Sequence, residues 1–124
     1  MNREEFVQAA AQMAGQVWDF HERWSLEDRW PGGRPPAEAM ADRRPLIEEE
    51  LQELREAVES GDAAHICEEA ADVLFVALGN VKSMGSAGAE GVRRVTEKNA
   101  RKTTETHVIH PDTGKVTARY KLAR

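Results

Sequence analysis

With one cysteine in 124 residues the chain forms no internal disulfide, and Cys67 has no His or Asp arranged beside it as a thiol nucleophile would need. Lying on a helix expected to be buried, Cys67 is expected to be a small core residue. No apolar stretch approaches the roughly 18 residues of a membrane span, and the opening MNREEFVQAA is too acidic for a signal peptide. The expectation is a cytoplasmic protein with no membrane partner. Large aromatics are few, three Trp, three Phe and one Tyr, and there is no repeat or low-complexity tract. One domain over residues 1–124 is expected, with a core modest enough that oligomerisation would help it. Glu-x-x-His is absent, which excludes the usual ligand set of a di-iron carboxylate bundle.

The formal net charge is −5, but the acidic excess lies between Glu48 and Asp72 while the chain after Val92 is basic. General nucleic-acid binding wants a broad basic face, so nucleic acid is not an expected partner. A basic tail near an acidic metal site suits a metal-bound polyphosphate; a solvated C-terminus would have the same composition.

What is present is concentrated between Arg44 and Val81, where the pattern is that of two helices joined at Gly61. Glu50 and Glu53 precede that glycine by eleven and eight residues, and Asp72 and Glu69 follow it by the same counts. At about 1.5 Å per residue, antiparallel helices would set Glu53 level with Glu69 and Glu50 level with Asp72, roughly 12 and 16 Å from the bend. Four facing carboxylates need a shared proton or a bound cation, and hard oxygen ligands without His or Cys point to Mg²⁺ or Mn²⁺. A solvated acidic helix face is the other meaning of a run such as Glu48-Glu49-Glu50. The second arm favours the metal. Ala70 to Val81 is apolar almost all round, as in a buried central helix, with Asp72 inside the run, Glu69 at its edge and no basic residue on this arm before Lys82 expected to pair them.

Glu50-x-x-Glu53 followed by Glu69-x-x-Asp72 within EEAADVLFVALGNV resembles the metal-binding motif of the all-α nucleoside triphosphate pyrophosphohydrolases, the superfamily of MazG, dimeric dUTPases and phosphoribosyl-ATP pyrophosphatase. Asn99-x-x-Lys102 and the turn Asp112-Thr113-Gly114-Lys115 extend the likeness over about Phe20 to Lys115, toward the dUTPase-related branch. The resemblance implies an all-α fold, a four-helix MazG-like bundle with a short C-terminal β-hairpin-like tail. It also implies Mg²⁺-dependent hydrolysis of a (deoxy)nucleoside triphosphate to the monophosphate and pyrophosphate, as in nucleotide-pool sanitation.

Glu50, Glu53, Glu69 and Asp72 are the expected metal ligands. Glu49 would reach a second metal or take the water's proton, with Glu50 the competing base. Two or more ions about 4 Å apart would lower the pKa of the attacking water and clamp the phosphate oxygens. Asn99 and Lys102, close together where the fourth helix ends, are expected to grip phosphate, with Arg43 and Arg44 next in line. His21, with Trp18 and Trp24, lies beside the nucleobase pocket that the resemblance implies, although all three also suit core packing. Phosphoribosyl-ATP pyrophosphatase would keep the chemistry and change the substrate. A non-catalytic helical dimer, an interaction module with an acidic surface, would keep only the shape. The expected assembly is a homodimer or a dimer of dimers.

Elsewhere the stripe Phe6, Ala10, Met13, Val17, Phe20 and Trp24 marks a first helix capped by Asn2. Ser25 to Pro36 reads as a loop whose Trp30 must pack on the bundle or on a second subunit. Pro45 belongs in a first turn, so the second helix is expected over Arg44 to Ser60, with Ile47, Leu51, Leu54 and Val58 as its apolar stripe. Gly61-Asp62 and Gly85-Ser86 bound a third helix, and a fourth runs from about Ala87 to Lys102. His107 to His110 and Lys115 to Tyr120 read as strands flanking Pro111-Asp112-Thr113-Gly114, with His107 and His110 not as ligands.

Overall fold

The hairpin that turns at Gly61 forms as its sequence dictates. In the computed structural model, which describes residues 1–31 and 33–122, α3 (Pro36–Ser60) ends on Gly61 at φ 75°, a left-handed conformation that costs glycine little. Asp62 then caps α4 (Ala63–Ser83), its side chain accepting the amide of His65 at 3.2 Å. Asn2 caps α1 (Arg3–Arg23) in the same way, accepting the amide of Glu5 at 2.9 Å.

Two compact units are present, Met1–Glu90 and a second that begins at Gly91. In the first, α4 packs along α3 and against α1. The α3–α4 seam alternates steps of four and three residues: Ala39, Arg43, Leu46, Glu50, Glu53 and Ala57 on one helix, Ser83, Gly79, Val76, Asp72, Glu69 and His65 on the other. That spacing keeps one stripe of each helix turned to its partner, as in an antiparallel coiled coil. Ala39, Ala57, Arg43, Gly79 and Ser83 are all buried.

This seam corrects the stripe expected for α3. Ile47 and Leu54 are half-buried, but Leu51 and Val58 are 45% and 57% exposed, because the face carrying Arg43 and Glu50 is the one that meets α4. The helix also starts earlier than Arg44. Pro45 lies in its interior and denies Ala41 a carbonyl partner. The preceding turns hold nonetheless, because Ala39 and Arg43 are buried in the seam and Arg34 pairs with Asp42 at 2.7 Å. Ser25 to Pro36 is not wholly loop, since α2 (Leu26–Arg29) forms one turn after Ser25, whose φ of 52° is strained for a non-glycine residue.

The expected burial of α4 is only half realised. Gly79, Asn80 and Ser83 are buried, but Leu74 is 45% exposed and Cys67 is exposed rather than a core residue. Gly88, near the start of α5 (Gly85–Ala100), touches the Val81 carbonyl so closely that a Cβ has no room. Four long and two single-turn helices make six among the described residues, not four. None is long and apolar enough to cross a membrane.

In the second unit, β1 (His107–Ile109) pairs antiparallel with β2 (Val116–Ala118), Val108 opposite Thr117. Gly114 takes φ 73° in the turn. Arg119 and Tyr120 were expected to prolong the strand but begin α6 (Arg119–Leu122), with the Arg119 guanidinium donating to the Thr104 carbonyl at 2.7 Å.

Candidate metal centre

Midway along the seam, one carboxylate oxygen each from Glu50, Glu69 and Asp72 lie within 4.8 Å of one another. The equal counts from Gly61 achieve this, since α3 and α4 run antiparallel from one turn. Glu53 joins them electrostatically. The Glu50 carboxyl is pushed up to about 7 by burial first, then by the charges of Glu53 and Asp72, a hydrogen bond with Glu53 and the charge of Glu69. Glu69 is raised for the same reasons in the same order, burial, Glu53 and Asp72, and is opposed by His65, whose Nδ1 lies 3.8 Å from its Oε1. The expectation that α4 offers no basic partner before Lys82 therefore overlooked His65, one turn before Glu69 on the same stripe.

Glu50 Oε2 and Glu69 Oε2 are buried and have no hydrogen-bond partner among the described residues. Buried acceptors of this kind are costly unless something supplies positive charge. Oxygen-only donors from closely spaced acids fit a hard divalent cation, with Glu50, Glu69 and Asp72 able to hold it directly. Glu49 stands outside this set, exposed on the neighbouring position of α3.

Two turns from Glu50 on the same face of α3, Arg43 is 3% exposed, and its Nε donates to Asn80 Oδ1 at 2.7 Å. The guanidinium carbon also lies 4.6 Å from the Trp30 ring centroid, so Trp30 packs on its own bundle. Arg43 forms no ion pair among the described residues. Burial accordingly lowers its pKa. His21 lies beside it, 5% exposed, its pKa pushed down to about 4 by burial and by the charges of Arg43 and Lys82, against the opposing charge of Glu27. Of the aromatic trio, only His21 is buried; Trp18 and Trp24 are 55% and 63% exposed. Asn80 and Gly79 were not singled out from sequence, though the four-three stripe running on from Asp72 through Val76 reaches Gly79. Asn99 and Lys102 belong to the second unit, and Arg44 pairs with Glu48 at 3.0 Å on the surface.

The phosphoribosyl-ATP pyrophosphohydrolase family model matches residues 17–99, a segment that contains every member of the carboxylate cluster and the buried Arg43–His21 pair. No curated protein and no solved structure gives a match. The family supports a pyrophosphohydrolase-type, metal-dependent activity for the acidic cluster just described. The chain belongs to the phosphoribosyl-ATP pyrophosphohydrolase family, and so to the MazG-like all-α nucleoside triphosphate pyrophosphohydrolase superfamily.

Proposed function

We propose that residues 1–124 act as one Mg²⁺-dependent enzyme that cleaves a nucleoside triphosphate between its α- and β-phosphates, releasing pyrophosphate and the monophosphate. The observation that carries this reading is the convergence of Glu50, Glu69 and Asp72 with two buried, unpartnered oxygens, inside the segment the family model matches. A bound Mg²⁺ would supply positive charge for the phosphate oxygens and acidify a water. Glu53, Glu69 and Asp72 would hold it, together with Glu50 unless Glu50 is the base that takes the proton. Glu50 is one candidate, a carboxyl that burial and the neighbouring acids raise to about 7 in the metal-free protein. Glu49 is the alternative acceptor, free of the cluster and open to water.

Asn99 and Lys102 of the second unit are assigned to the substrate's phosphates, and Arg43 and His21, buried in the first unit, to substrate binding there. The Arg43 guanidinium, held by Asn80 and without an ion pair among the described residues, supplies a positive field to α3 two turns from the acids, which favours a polyanion over a neutral ligand. Two substrates suit this site. A (deoxy)nucleoside triphosphate follows from the Asn99-x-x-Lys102 and Asp112-Gly114 features, and phosphoribosyl-ATP fits the family match equally. Pyrophosphate release with Mg²⁺ or Mn²⁺, measured over standard and modified NTPs, dNTPs and phosphoribosyl-ATP, separates them. Absence of release from all of these, with the metal present, would leave the helical interaction module as the better reading.

A further inference from the structure

The second unit contains a cavity of about 740 Å³ between the end of α5 and the hairpin. Among the described residues its walls carry Lys98, Arg101, Lys102, Lys115 and Lys121 and no carboxylate side chain. That absence is informative in a chain with 22 acidic residues. From Gly91 onward nine basic residues stand against three acidic ones, a net of +6; before it eight stand against nineteen, a net of −11. The division of charge thus follows the division into units.

None of the five wall cations forms an ion pair among the described residues, whereas Arg119 is committed to the Thr104 carbonyl. His110 also lines the cavity, and its Nδ1 accepts the amides of Asp112 and Thr113 at 3.1 and 3.3 Å. Those bonds fix the tautomer with hydrogen on Nε2, so this ring presents a donor. Except for Lys98, every lining residue falls after the segment matched by the family model.

Five like charges around one concavity repel one another, and the repulsion is relieved by an anion that brings several charges at once. A concavity of this volume suits a small ligand, which favours a compact anion over a nucleic-acid backbone. We propose that this cavity binds a polyphosphate chain, such as that of pyrophosphate, tripolyphosphate or a nucleoside triphosphate, through the cations of the second unit and without a metal, Lys102 being shared with the substrate contacts assigned above.

The test is calorimetric titration of the full-length protein in EDTA, where a carboxylate-bound metal makes no contribution, with tripolyphosphate, pyrophosphate and ATP in turn. Saturable binding that weakens steeply with added salt is expected, and Lys115→Gln with Lys121→Gln should weaken it at least tenfold while the melting temperature stays unchanged. Equal affinity for tripolyphosphate and ATP would assign recognition to the phosphate chain alone, and tighter ATP binding would add the nucleoside to it. Asp72→Asn should leave this binding intact even though it removes the metal response, which separates failure here from failure of the proposed hydrolysis. The proposal is overturned if no saturable binding occurs in EDTA, if the lysine variant binds as well as the parent, or if a single-stranded oligonucleotide binds more tightly than tripolyphosphate.

Discussion

The Arg43 guanidinium occupies the space that a side chain on Gly79 would need. A Cβ at position 79 would sit 2.6 Å from Arg43 Nη2 and 2.9 Å from His21 Nε2, so the absence of a side chain on α4 is what admits a guanidinium and an imidazole into the helix seam. Asn80, the next residue, holds the Arg43 Nε in place. A buried charge and a neutral histidine therefore share a slot that one glycine keeps open.

Gly79→Ala should destabilise the fold by about 1–3 kcal/mol, the usual cost of overpacking a filled interior. Gly15→Ala is the control, because nothing lies within 4 Å of its added methyl group and the site is exposed mid-helix. There alanine should stabilise by roughly 0.5–1 kcal/mol. Urea denaturation of both variants checks the pair, and equal effects would deny the slot its structural role.

A pH dependence follows from the raised carboxyl of Glu50. Its folded pKa, about 7, exceeds the ordinary value of 4.5, so the folded state binds the extra proton. Its contribution to stability is complete below pH 4.5 and is lost as pH rises through 7. His21 works in the opposite direction, with a folded pKa of about 4 and a contribution lost as pH falls from 6.5 toward 4. Comparison with Glu50→Gln cancels the histidine. Without metal, the parent should lose melting temperature between pH 5 and 8 relative to that variant, and Mg²⁺ should restore it at pH 8. Parallel melting curves across this range would contradict the shift.

Asp72→Asn removes one negative charge from the convergence of three carboxylates. The metal-free variant should melt at a higher temperature than the parent, because repulsion is relieved. It should no longer gain stability from millimolar Mg²⁺, and it should lose activity by on the order of a hundredfold or more, beyond the effect of disturbing an outer-shell partner. A thermal-shift titration with and without metal distinguishes this from a surface acid, for which neither the apo shift nor the lost response would appear.

Lys102→Ala addresses the tail. Lys102 is only half-buried and carries no ion pair among the described residues, so the melting temperature and metal response should barely change. A fall in kcat/KM of tenfold to a hundredfold, about 1.4–2.7 kcal/mol, is expected if its charge meets the phosphates during turnover. Normal turnover would make it a solvated helix end.

The parts of this structure that the sequence made legible are those set by counting. Equal spacing about Gly61 placed Glu50 beside Asp72 because an antiparallel hairpin has a single register, and Asn2, Asp62 and Gly61 acted through local chemistry that needs no tertiary contact. Turn residues located the hairpin in the same way. Tertiary packing decided the rest. Pro45 marks a helix start only when nothing upstream is anchored, and here Ala39 and Arg43 anchor it. The leucine stripe of α3 looked like its core face because burial was judged by apolarity, whereas this seam is built from small residues, acids and an arginine. His65 and Gly79 were visible only once the four-three stripe was extended in both directions from the acids.

That same mismatch leads to the assembly. Leu51 and Val58 on α3 and Leu74 on α4 are 45%, 57% and 45% exposed, and Ala70, Ala71 and Cys67 are exposed on α4 as well. Leu74 and Cys67 are two turns apart, so α4 presents an apolar stripe on the side away from its buried Gly79–Ser83 end. Exposed apolar surface of this extent on a small helical unit is best covered by a second copy, and a two-fold pair is the commonest closed arrangement. Light scattering at micromolar concentration should give twice the 13.8 kDa of the chain. Leu74→Lys should halve that mass, lower the melting temperature and make Cys67 react faster with a thiol reagent. A parent protein that scatters as a monomer would refute the assembly, and a Leu74→Lys variant that stays dimeric would place the contact on another face.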